Sequence, residues 1–205
     1  EIRIRDWSSD VCSSDLVMPI LRRRQGTSTR STATLPLEMR EQLREPALGA
    51  VPLDAEGSTW AVATASSLVV FNGRSRPETH PWDEVEQGSW DGQDRVFTLR
   101  WTQQDREDLA LKVPAGVRNG DAYASADVAP FAKALRQRVE AAIIHSAVAT
   151  LPSGATATAS VRRGGDGELY SVTRPLISQV DEAEDRRTLR ELENRVREGV
   201  GLPTR

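Results

Sequence analysis

Between residues 47 and 113 the chain alternates short apolar stretches with turn-forming residues, and no stretch there is long enough for a stable helix. Ala47 to Leu53 is apolar, and Asp54-Ala-Glu-Gly57 reads as a turn. Trp60, Val62 and Thr64 alternate with Ala61 and Ala63, Ser66-Ser67 breaks the run, and Leu68 to Phe71 resumes it. Asn72-Gly73 is a strong hairpin signal, and a longer loop through Arg74, Arg76 and Pro77 leads to His80-Pro81. The next strand, Trp82 to Trp90, has mixed parity. Trp82 and Val85 cannot share one face of a regular strand, so a bulge or turn is expected between them. After Asp91-Gly92, the residues Phe97, Leu99 and Trp101 occupy one face, with Thr98 and Arg100 on the other. Past a polar loop from Thr102 to Asp108, Leu109, Leu111 and Val113 alternate again. About six short, evenly spaced strands predict an antiparallel meander that closes toward a barrel.

The period changes after the loop at 114–126. Phe131, Leu135, Val139, Ala142 and Ile143 recur at helical spacing opposite Lys133, Arg136, Gln137 and Glu140. The spacing predicts a helix over 127–149, with Asp127 as N-cap and Pro130 tolerated in the first turn. Residues 155–174 read as a β-hairpin around Arg162-Arg-Gly-Gly-Asp-Gly167. A last helix over 181–200 carries the stripe Leu189, Leu192, Val196 and Val200. Its pairs Glu182–Arg186, Glu191–Arg195 and Glu193–Arg197 are spaced to support an exposed helix face. The class is α+β. A barrel and its capping helix span 47–150, and a hairpin-and-helix extension spans 151–205.

The N-terminal region reads differently. Read back into codons, Asp6–Leu16 (DWSSDVCSSDL) looks like a common short-read sequencing adapter translated in frame, and Glu1–Arg5 fits the bases that precede it. Residues 1–16 are therefore expected to be an adapter artefact, and Met18 the native start. Residues 17–46 read as a flexible basic arm containing Arg22, Arg23 and Arg24, with a short helix over 37–46 that Pro46 ends. With 27 Lys+Arg against 30 Asp+Glu in 205 residues, the composition argues against a generally basic nucleic-acid binder. Its single cysteine, Cys12, cannot build a disulfide framework or a Cys-only zinc site, and it falls inside the adapter-like segment. No apolar run approaches the length of a membrane helix.

Trp60-Ala-Val-Ala-Thr64 followed by Leu68-Val-Val-Phe71, then Pro81-Trp82-Asp-Glu-Val85 and Ser89-Trp90-Asp91, resembles the strand pattern of bacterial PH-like domains, related in layout to GRAM modules. The single amphipathic helix after the strands completes the likeness. Taken from residue 17 onward, the chain is similar to PH-like proteins of actinobacterial type that carry a hairpin-and-helix tail. An arginine-rich composition with only Lys112 and Lys133 as lysines suits a GC-rich coding sequence. The resemblance implies a barrel capped by a helix, working as a binding module. Phosphoinositide-binding PH domains commonly place basic residues in the first hairpin. Here that turn, Asp54-Ala-Glu56-Gly-Ser58, is acidic and would repel phosphate.

Few residues suggest chemistry. Trp60, Trp82, Trp90 and Trp101 can be read as an aromatic cage, but large apolar filling of a small barrel accounts for most of them. Trp82 and Trp90, on the irregular strand, are the candidates for ligand contact. Arg74 and Arg76 offer a thin basic site, and Arg162 and Arg163, with Arg174, a second. His80 and His145 lack metal-ligand spacing, and His145 suits a helix C-terminus. The Gly-rich turn after Arg163 matches neither dinucleotide nor P-loop signatures, and no nucleophile elbow occurs. The expectation is a non-enzymatic cytoplasmic interaction module without a cofactor, binding protein or peptide. Attachment to anionic membrane through Arg22–Arg24, Arg74 and Arg76 is the alternative. Nucleic-acid contact through Arg162, Arg163 and the arginine-rich last helix is the weaker one.

Overall fold

The computed structural model describes residues 31–73, 75–119 and 122–204. Arg74 and the segment carrying Arg22–Arg24 and the adapter-like stretch lie outside the described residues. Strands and helices mix in an α+β architecture. The chain runs β1 (Ser31–Thr32), α1 (Leu37–Glu41), β2 (Gly49–Pro52), β3 (Thr59–Ala63), β4 (Ser67–Asn72) and β5 (Glu78–Pro81). A 3-10 turn at Trp82–Glu84 precedes β6 (Val85–Asp91), β7 (Val96–Trp101) and β8 (Leu109–Lys112). A hairpin of β9 (Gly116–Asn119) and β10 (Ala122–Ser125) leads into α2 (Ala129–Ala142). Last come β11 (Ile143–Thr150), β12 (Thr156–Arg163), β13 (Leu169–Arg174) and α3 (Ala183–Glu198).

The meander does not close into a barrel. β2-β3-β4-β5 form one four-stranded antiparallel sheet and β6-β7-β8 a separate three-stranded one. The break falls at the Trp82–Glu84 turn, where the mixed parity called for an irregularity. α2 fills the space that a closed barrel would have enclosed. Phe131, Leu135 and Val139 join Val51, Leu68, Trp82, Val85, Phe97, Leu99 and Trp101 in one core. Close approach needs glycine at Gly49, where a Cβ would stand 2.6 Å from the Phe131 backbone. The other face of the four-stranded sheet is buried as well. Trp60, Val62, Val69 and Phe71 pack under Leu35, with Met39 and Leu43 at the margin. This explains why Trp60-Ala-Val-Ala63 carries no polar residue on either face.

Three further expectations change. Residues 31–36, read as the end of a flexible arm, are tied down. β1 pairs in parallel with β10, the Ala33 amide donates to the Ser125 carbonyl at 2.9 Å, and Leu35 is buried. The loop expected at 114–126 contains the β9–β10 hairpin. The helix expected over 127–149 stops at Ala142, and its last third is β11, paired with β12 from Ile143↔Arg162 to Thr150↔Thr156. The β-branched residues Ile143, Ile144, Val148 and Thr150 pay little to leave the helix and gain a full ladder by doing so.

The hairpin and last helix form where expected. β11-β12-β13 make an antiparallel sheet, and α3 lies across one face. Ala157, Ala159 and Val161 pack there against Leu189, Leu192 and Val196. Small strand residues let the helix sit close, so a second apolar core forms without an aromatic among its buried residues.

Candidate functional site

The two halves meet along a polar seam. Alternation on β12 sends Val161 into the α3 core and Arg162 the opposite way, toward the first half. The Arg162 side chain is buried, with 1% exposure. Its Nε donates to the Asp83 carbonyl at 3.1 Å and its Nη2 to the Val85 carbonyl at 2.5 Å. Burial pulls its pKa down, while Tyr170, Glu86 and Asp83 pull it back up. The Tyr170 hydroxyl donates to the Asp83 carbonyl at 2.8 Å, and its pKa is pushed up to about 12 by burial and by the Asp83 carboxylate. Arg174 makes a two-pronged ion pair with Glu86, its Nε donating to Oε1 at 2.8 Å. Gln104 reaches across from the β7–β8 turn, and its Nε2 donates to the Thr173 carbonyl at 3.1 Å.

This seam opens into a cleft of about 630 Å³. One wall is β13, from Tyr170 to Thr173, and the other is the Thr102–Asp105 turn with Glu84. Leu176, Ile177, Ser178 and Glu193 form the floor and end. No lysine or arginine lines it, and Glu84, Asp105 and Glu193 do. A second hollow of about 720 Å³ lies between residues 32–35, the 40–50 segment and the start of α2. Its carboxylates are already engaged: Glu45 accepts from the Ser66 amide and Asp127 from the Ala129 amide. The strand beside it, β2, includes Pro52, which has no donor for a further strand.

Beside the cleft, Arg106 organises a cluster. Its Nη1 donates to Glu84 Oε2 at 3.0 Å, its Nη2 donates to His80 Nδ1 at 2.9 Å, and its guanidinium lies 3.5 Å over the Trp101 ring. Arginine has no acceptor, so His80 must accept at Nδ1 and carry its proton on Nε2. Burial and the Arg106 charge hold the His80 pKa below the usual value, against the opposing pull of Glu78 and Glu84.

The residues singled out from sequence scatter. Trp82 is buried in the first core and donates its indole N–H to the Thr64 carbonyl at 3.0 Å. Trp90 is half-buried on the Phe97 ring, centroids 4.2 Å apart, with the Arg95 guanidinium 5.9 Å from its own centroid. Trp60 and Trp101 are buried, and their indoles donate to the Gly57 and Glu107 carbonyls. The four rings therefore do not face one another as a cage. Arg76 is exposed. Arg162 and Arg163 part company: the first is buried in the seam, and the second is exposed and bonds the Gly167 carbonyl of its own turn. The acidic first turn is self-contained, because Asp54 accepts from the Ser58 amide and hydroxyl and from the Thr59 hydroxyl. His145 does lie against a helix C-terminus, but that of α3 at Gly199. The cleft residues Gln104, Glu84, Tyr170 and Thr173 carried no sequence signal. Their relationship exists only across contacts such as Gln104 to Thr173, 69 residues apart.

Among the described residues, no group of three or more His, Cys, Asp or Glu could hold a metal ion, and no helix is long and apolar enough to cross a membrane. No protein-family model, curated protein or solved structure matches the chain.

Proposed function

We propose that the chain is a non-enzymatic, PH-like interaction module of the cytoplasm that binds a protein or peptide segment in the seam cleft. A four-stranded sheet, then a three-stranded sheet, then one amphipathic helix over a shared core support the PH-like part of this reading. The observation that carries the binding part is the wall formed by β13, a sheet-edge strand whose outer side borders a cleft instead of another strand.

Peptide display on the immobilised full chain tests it, with Ser178→Trp as the blocking variant because Ser178 is exposed at the cleft floor. The expected outcome is a set of enriched sequences whose affinity for Ser178→Trp is roughly tenfold weaker or worse. Enrichment of nothing, or of sequences that bind the blocked variant equally well, would dispose of the reading.

A further inference from the structure

We infer that the occupant of the cleft is an extended segment of another protein, added as a fourth strand along the edge of β13, with a basic side chain opposite Asp105. This rests on the reading of the cleft as a peptide site.

Backbone parity carries the first part. In the β12–β13 hairpin the Gly164 amide donates to the Glu168 carbonyl at 2.8 Å, which fixes the bonded pairs of the ladder. Every second pair outward is then bonded: Arg162↔Tyr170, Ser160↔Val172 and Thr158↔Arg174. The amides and carbonyls of Leu169, Ser171 and Thr173 therefore point away from β12. An independent contact agrees, since the Thr173 carbonyl accepts from Gln104 on the outer side. A Gln side-chain amide is chemically the same donor as a peptide N–H. Gln104 thus holds the place that the amide of an incoming strand would take, and Ser171 keeps both backbone groups without a strand partner. The opposite edge of this sheet, β11, is a poorer template, because its register breaks between Ile143 and His145.

Charge carries the second part. Of the three carboxylates on the cleft, Glu84 is paired with Arg106. Glu193 accepts from the Ser171 hydroxyl, to which Arg197 also donates. Asp105 is exposed and has no ion pair among the described residues. One uncompensated negative charge beside a strand edge favours one lysine or arginine on the added strand.

The test uses the full chain and a fluorescent hexapeptide of alternating threonine and valine with one central arginine, read by anisotropy. Two further versions carry N-methyl groups on alternate backbone nitrogens, one on the odd set and one on the even set. Because only one set faces β13, one methylated version should lose roughly tenfold or more in affinity and the other little. Asp105→Asn should weaken the arginine peptide several-fold and leave its glutamine counterpart unchanged. Gln104→Ala should tighten binding, since nothing need be displaced. No binding of the hexapeptide, equal loss from both methylated sets, an Asp105→Asn that weakens both peptides alike, or weaker binding by Gln104→Ala would each overturn the inference. The peptide-site reading falls separately, only if display yields no sequence sensitive to Ser178→Trp.

Discussion

The two halves of the molecule are held together by different physics. The first half packs aromatic rings on both faces of its four-stranded sheet and ties the buried indoles to nearby carbonyls: Trp60 to Gly57, Trp82 to Thr64 and Trp101 to Glu107. The second half has a core of alanine, valine and leucine with no aromatic among its buried residues. What fixes one half against the other is polar: Arg162, Tyr170 and Arg174 bridge the seam to named carbonyls and carboxylates. Apolar surfaces tolerate small slides, whereas a buried guanidinium with fixed acceptors does not, because an unmade bond there leaves a charge without compensation. The seam therefore sets the width of the cleft, and the cores set whether each half folds.

The sharpest way to break this comparison is to damage each core separately. Phe97 is fully buried, edge-on to Phe131 at 5.0 Å, and Phe97→Ala should cost about 4 kcal/mol. Leu189→Ala, in the second core, should cost about 3 kcal/mol. Four of the five tryptophans, Trp60, Trp82, Trp90 and Trp101, lie in the first half, so fluorescence reports chiefly that half and far-UV circular dichroism reports both. With the seam intact, each variant should lower one shared denaturation midpoint. If Leu189→Ala lowers the dichroism midpoint and leaves fluorescence in place, the halves are independent and the seam does not couple them.

Next in size is the seam itself. Arg162→Met keeps most of the buried stem and removes the donors to the Asp83 and Val85 carbonyls. The expected cost is about 3 kcal/mol, from two charge-assisted bonds lost, the Asp83 carbonyl keeping its bond from the Tyr170 hydroxyl. Fluorescence and dichroism midpoints should then separate. A single shared transition in Arg162→Met would place the coupling elsewhere, with Arg174–Glu86 the next candidate.

Local patterning explains what could be read in advance. Short strands bounded by Asp-Gly, Asn-Gly and Ser-Ser announce themselves, and so do the hairpin and the stripe of α3. β11 was hidden because Ile143 falls both at helical spacing from Val139 and at the start of a β-branched run. Closure of the sheets was not legible, since it depends on which distant edges pair. Arg162-Arg163 is the instructive case. As a dipeptide it looks like a basic patch, yet adjacent residues on a strand point to opposite faces, so both cannot belong to one surface. In the sequence both read as turn residues; once β12 extends through them period two separates them, while which one is interior and the identity of its acceptors, 77 and 79 residues away, needed the fold.

The smallest expected effect concerns pH, and it belongs to the first half alone. His80 accepts from Arg106 at Nδ1, and a proton on that nitrogen would end the bond and set two cations together. Burial and the Arg106 charge lower the native pKa, so from about pH 6.5 down to that lowered value the unfolded chain binds more protons than the folded one. Stability contributed by neutral His80 is therefore complete above about pH 6.5 and is lost as pH falls through the window below it. Glu78 limits the loss, since its Oε2 lies 3.9 Å from Nε2 and attracts the protonated ring. His80→Gln can still accept from Arg106 and does not titrate, so its stability should vary less between about pH 5 and pH 7 than that of the native chain. His145, the other histidine, is common to both proteins and cancels in the difference. Parallel pH profiles for the two would show that acid sensitivity does not arise at His80.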